Sequence, residues 1–157
     1  MLTRRELRFT TLDAAVADAE QLVARGYDRV GKWNLGQCTG HLANWLTYPL
    51  DGFPPLPFFL KPIVWFIRNT SATKMLDKVI ADQSMPSGAQ TAPTSVPSSD
   101  VDDRTELEHY KKAVSRWSNH KGPYIPSPLF GDQPKDRFLA LHLVHSAHHL
   151  SFLVPKG

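Results

Sequence analysis

Apolar side chains recur at helical intervals through most of the chain, and that rhythm breaks at a few places marked by proline, glycine or serine. In residues 11 to 26, Leu12, Ala15, Val16, Ala19, Leu22 and Val23 return every three or four positions, which predicts a helix capped by Thr11 and stopped by Gly26. Residues 34 to 48 predict a second, with Leu35, Cys38, Leu42, Trp45 and Leu46 on one stripe, Asn34 as cap and Pro49 as its close. Residues 53 to 67 are aromatic and rich in proline. Four prolines there forbid a continuous helix before residue 62, while "IVWFIRN" forms a turn or two that can run on through "SATKMLDKVIAD". Residues 84 to 100, "SMPSGAQTAPTSVPSSD", offer little to bury and read as a long flexible loop.

Periodicity returns over residues 103 to 120 with Leu107, Tyr110, Val114 and Trp117, and Asp103 with Glu106 has the spacing of a capping box. A last helix is predicted from after Asp132, with Pro134 in its first turn, through Phe152 to a stop at Pro155. No segment shows strand alternation. Four or five amphipathic helices with polar connections imply an all-α fold, an antiparallel bundle formed by residues 1 to 157 as one domain.

Composition narrows the classes. With 41% apolar and 21% charged residues, the chain falls among globular proteins. A net charge of +3 without a sustained basic stripe argues against nucleic-acid binding. The single cysteine excludes an intrachain disulfide, and the N-terminus lacks the apolar core of a secretory signal, so a cytoplasmic location is expected. The most hydrophobic stretch is interrupted by Lys61 and Pro62 and falls short of the roughly 20 apolar residues that span a bilayer.

The chemistry concentrates in "LVHSAHHLSFL", residues 143 to 153, which holds three of seven histidines. On a helix, Phe138, Leu141, His142, His148, His149 and Phe152 all lie within about 60° of His145. A second apolar arc of Leu139, Leu143 and Leu150 turns that face inward. His145 and His149, four apart, can reach one ion, with His148 as a competing partner at three. His41 lies on the stripe of the second helix, three after Cys38 and four before Trp45. Three imidazoles with a position left open suit a catalytic metal ion, whereas a hydrogen-bonded group of core histidines is the plain alternative. His142 is a further candidate for third ligand.

"GKWNLGQCTGHLANWL", followed by "SPLFGDQPKDRFLALHLVHSAHHLSF", resembles the DinB/YfiT-like metal-binding superfamily, and within it the DUF1569 family, over nearly the whole chain. The resemblance implies a four-helix bundle of up-down-down-up type, with one histidine from the second helix and two from the last on a divalent ion. In this sequence these are His41, His145 and His149. Members of the superfamily include thiol-dependent transferases and isomerases that use the metal to activate a small thiol, whereas the narrower family has no settled activity to carry over. Where relatives often carry histidine before the Pro-x-Phe-Gly turn, this chain has Ser127.

The expected function is therefore a metal-dependent hydrolase or thiol transferase, with zinc or nickel as ion, a small-molecule substrate such as a low-molecular-weight thiol, and a homodimer as a possible assembly. The rival is a noncatalytic metal-binding or interaction module. Gln37, Cys38, Trp45, His142 and His148 are candidates to support the site or line its pocket, with His142 or His148 as a proton carrier. Phe58, Phe59, Trp65 and Phe66 could wall a pocket above the metal, dock on a partner or fill the bundle end, with core packing the default expectation.

Overall fold

A computed structural model describes residues 2–86 and 93–157. The described chain is mostly helical. Six α-helices, α1 (Leu12–Arg25), α2 (Leu35–Asp51), α3 (Lys61–Thr70), α4 (Ala72–Asp82), α5 (Asp103–Asn119) and α6 (Lys135–Leu150), are joined by one two-stranded antiparallel ribbon, β1 (Tyr27–Arg29) with β2 (Leu153–Pro155). The ribbon is the exception to the all-α expectation. Its strands have three residues each, too short for alternation to register, and they exist because α1 and α6 end side by side.

The helix ends follow local chemistry. Thr11 caps α1 by accepting the N–H of Ala14 at 3.1 Å, and Gly26 leaves the helix at φ +72°. Asn34 and Gln37 form a reciprocal capping box at the start of α2. Pro49 does not close α2, which continues to Asp51. A proline in the last turn loses only its own N–H and leaves the residues after it free to stay helical. The cap of α5 is Asp102, one residue before the expected Asp103; Asp103 instead accepts the Tyr27 hydroxyl at 2.8 Å and the Gly36 N–H at 2.7 Å. Ser71 breaks the expected continuation into separate α3 and α4. Helix α6 stops at Leu150, so Phe152 lies in the turn before β2.

One core joins α1, α2, α5 and α6, built around Leu22, Leu35, Leu46, Tyr110, Trp117 and Leu150. The densest packing is between α2 and α5, and α4 lies on α6. Close approach on α2 depends on Gly40: a Cβ there would stand 2.5 Å from Pro97 Cγ and from the Glu106 carboxylate. The expected loop over residues 84 to 100 lies partly outside the described residues. In its described part, Pro93–Ser95 forms a 3₁₀ turn and Ser95 is buried against α2. The aromatic expectation is overturned: Phe58, Phe59, Trp65 and Phe66 are exposed, and α3 has no buried residue. No helix is long and apolar enough to cross a membrane among the described residues.

Candidate metal centre

Helix α2 carries His41 and helix α6 carries His145 and His149, one turn apart. Where the two helices pack, the three rings meet through their Nε2 atoms. His145 Nε2 is 3.1 Å from His41 Nε2 and 3.0 Å from His149 Nε2. One ligand atom from each residue lies within 4.8 Å of the other two, and no Asp, Glu or Cys joins the group among the described residues. Three nitrogens at bonding distance from a tetrahedral ion stand about 3.4 Å apart, so the triad needs little adjustment to take one.

The second ring nitrogen of His41 decides its tautomer. Nδ1 lies 3.2 Å from the Ser95 carbonyl and 3.1 Å from the Ser95 hydroxyl. A carbonyl oxygen only accepts, so Nδ1 carries the proton and Nε2 presents a lone pair to the other two rings. The carbonyl is itself held by Asn44, whose Nδ2 donates to it at 3.0 Å. Such an outer hydrogen bond orients a ligating imidazole and raises its basicity.

Burial keeps the cluster neutral. It drives the pKa of His41 down to about 4, against the opposing effect of the Ser95 hydrogen bond. His145 and His149 are held well below the ordinary range, first by burial and then by the neighbouring imidazoles. Neutral imidazole is the ligand form. Without a cation the arrangement is poorly satisfied: with the lone pair of His41 fixed, the Nε2 of His145 has two nitrogen neighbours and at most one hydrogen to offer. The donor set therefore fits a divalent ion.

Two indoles wall the cluster. Trp33 stacks on His149 at 4.9 Å with 6° between planes and meets His41 edge-on at 5.1 Å. Trp45 stands edge-on to His41 and His145, and its buried Nε1 has no acceptor among the described residues. Ser95, Asn44 and Trp33 were not singled out from sequence as site residues. Trp33 is inside the quoted "GKWNLGQ" motif, whereas Ser95 reaches His41 only through the fold.

The other candidates occupy different surroundings. Gln37 serves the backbone, accepting from Asn34 N and donating to Pro97 O at 3.3 Å. Cys38 is buried with Sγ 3.8 Å from the His149 carbonyl, and burial with the nearby Asp103 carboxylate pushes its thiol up to about 12. That thiol stays protonated, which leaves it packed rather than nucleophilic. His142 lies between Trp117, edge-on at 4.6 Å, and Phe138. His148 faces the N-terminal segment: its Nδ1 is 3.2 Å from the Arg4 guanidinium, which also donates to the His148 carbonyl and to Ser151 Oγ and sits over Phe152. Ser127 accepts the N–H groups of Leu129 and Phe130 and closes the turn at Gly131, φ +71°.

A helical frame with three neutral histidines converging inside it defines a class: a helical protein whose histidine cluster is close enough to hold one metal ion. The chain belongs to the DUF1569 family, described as "Protein of unknown function", which matches residues 1–156. Searches of curated proteins and of solved structures each found no match.

Proposed function

We propose that the protein is a metal-dependent enzyme acting on a small molecule, with His41, His145 and His149 as ligands of a divalent ion in a single DinB/YfiT-like four-helix domain. The observation that carries this reading is the convergence of three neutral Nε2 atoms, one with its lone pair fixed by the Ser95 carbonyl. An all-imidazole set favours zinc or nickel over magnesium or calcium, which prefer oxygen ligands. Such an ion supplies Lewis acidity, which makes water or a small thiol a nucleophile near neutral pH.

The chain's own residues prepare that chemistry. Asn44 and the Ser95 carbonyl fix the ring of His41, and Trp33 fixes that of His149 by stacking. Both indoles pack against the histidine rings, and an apolar wall of this kind strengthens electrostatic interactions there. The Trp45 Nε1–H, buried and without an acceptor among the described residues, is a donor that a bound small molecule would satisfy. The reaction we read from this is a hydrolysis or a transfer to a small thiol, with the three imidazoles holding the ion that would supply that Lewis acidity.

Elemental analysis of tag-free protein beside His41→Ala and His145→Ala tests the ligand set. The expected result is about one ion per chain, lost in both variants. A well-folded wild-type protein that stays empty after incubation with zinc, nickel and manganese refutes the metal reading. Loaded protein is then assayed for hydrolysis and for transfer to a small thiol, and inactivity in both removes the enzymatic half of the proposal.

A further inference from the structure

Between Asp51 and Asp77 the chain has no acidic residue, yet it carries Lys61, Arg68 and Lys74. The same stretch holds the most exposed aromatic side chains described: Phe58 is 82% exposed, Trp65 66%, Phe66 62% and Phe59 60%. Helix α3 touches α4 and the 3₁₀ turn Phe58–Leu60 but buries none of its own residues. It is an arm on the molecule, not part of the core.

The arm has two sides. Its half-buried residues are Val64 and Ile67. At about 100° per residue, Trp65, Pro62, Phe66 and Ile63 span an arc of roughly 160° on the opposite side, with Lys61 and Arg68 at its Trp65 border. The Arg68 guanidinium also rests over Gly131, which steadies the far end of the arm. An exposed apolar patch of this kind marks a surface that meets something else.

We propose that this arm docks the protein on anionic membrane surfaces. Trp and Phe beside Lys and Arg form the side-chain mixture that settles at the lipid interface, with rings among the headgroups and cations on the phosphates. Charge selects lipid over a second copy of the chain. Symmetric pairing through this face would bring two sets of Lys61 and Arg68 together, whereas anionic headgroups neutralise them. With ten residues, α3 is about 15 Å long and lies on a bilayer rather than through it.

Cosedimentation of the full chain with vesicles tests the docking, using phosphatidylcholine alone and phosphatidylcholine with phosphatidylglycerol. Binding is expected on the anionic vesicles only, falling as salt is raised. The double variant Trp65→Ser/Phe66→Ser is expected to lose roughly tenfold or more in partitioning, and Lys61→Glu/Arg68→Glu a comparable factor, with helical content and metal content unchanged in both. No binding to anionic vesicles, or equal binding by the Trp65→Ser/Phe66→Ser protein, overturns the proposal. A concentration-dependent dimer that this variant abolishes also overturns it and assigns the face to a second copy.

Discussion

His41 uses both of its ring nitrogens, one toward the cluster and one toward Ser95, and the second contact sets what the first can do. Asn44 is one bond further out. Asn44→Ala frees the Ser95 carbonyl to rotate, so metal affinity is expected to fall by roughly tenfold with little change in fold, as read by competition against a chromogenic chelator. His142 gives a different prediction, about pH. Burial alone takes its pKa to about 3, below the unfolded value near 6.5. The folded state therefore favours the neutral ring, and this contribution is complete above about pH 6.5 and lost as pH falls through the folded pKa near 3. The gap grows by about 1.4 kcal/mol per pH unit inside that window. His142→Leu should then lose about 2 kcal/mol less than wild type between pH 7 and pH 5, measured by urea unfolding at both values. At this scale the three histidines that converge were legible in sequence, because an HxxxH on an apolar helix face and a lone histidine on another stripe are patterns of spacing. Ser95 and Asn44 were not, since a carbonyl that orients a ring has no side-chain signature. Cys38 and His148 show the converse: residues conspicuous in sequence whose contacts are a backbone carbonyl and an arginine.

Helix α2 sets the geometry of the histidine cluster, and its small residues let it do so. Gly36 and Gly40 face Val101 and Pro97, so the segment that carries Ser95 can lie against the helix. Gly40→Ala places a Cβ against the ring of Pro97, which has little freedom to withdraw, and against the more compliant Glu106 side chain. The expected cost is roughly 1–3 kcal/mol, together with weaker metal binding as Ser95 moves from His41; thermal melts and chelator competition on the same sample read both. The main helices were legible as elements because each repeats its apolar positions over three turns or more. Their ends were less so. Pro49 was read as a stop although it sits where losing one N–H is tolerable, and Asp102 and Asp103 are chemically equal candidates for a cap until Tyr27 and Gly36 claim the second. For the aromatic run between Phe58 and Phe66 only the core-packing default fails, because hydrophobicity reports what a side chain prefers to leave, not whether a neighbour is there to receive it.

For the whole molecule, the cluster links parts of the chain that are distant in sequence, since α2 meets α6 at the histidines and the Ser95 turn closes over α2. The core of α1, α2, α5 and α6 is built from apolar residues other than the three histidines, so the fold is expected to survive chelation. An ion that binds only the folded state still stabilises it by mass action, about 2.7 kcal/mol at a free concentration one hundred times its Kd. For a chain of 157 residues each kcal/mol moves the midpoint by roughly 2–4 °C. Adding the ion to chelated protein should therefore raise Tm by about 5–10 °C, while His145→Ala, which removes the ring that contacts both other histidines, shows no such rise. The comparison separates two roles for the ion. A collapse of the melting transition on chelation would make the ion structural, part of what folds the chain. A modest, saturable shift confined to proteins with an intact triad fits an ion held at a site the apolar core has already built.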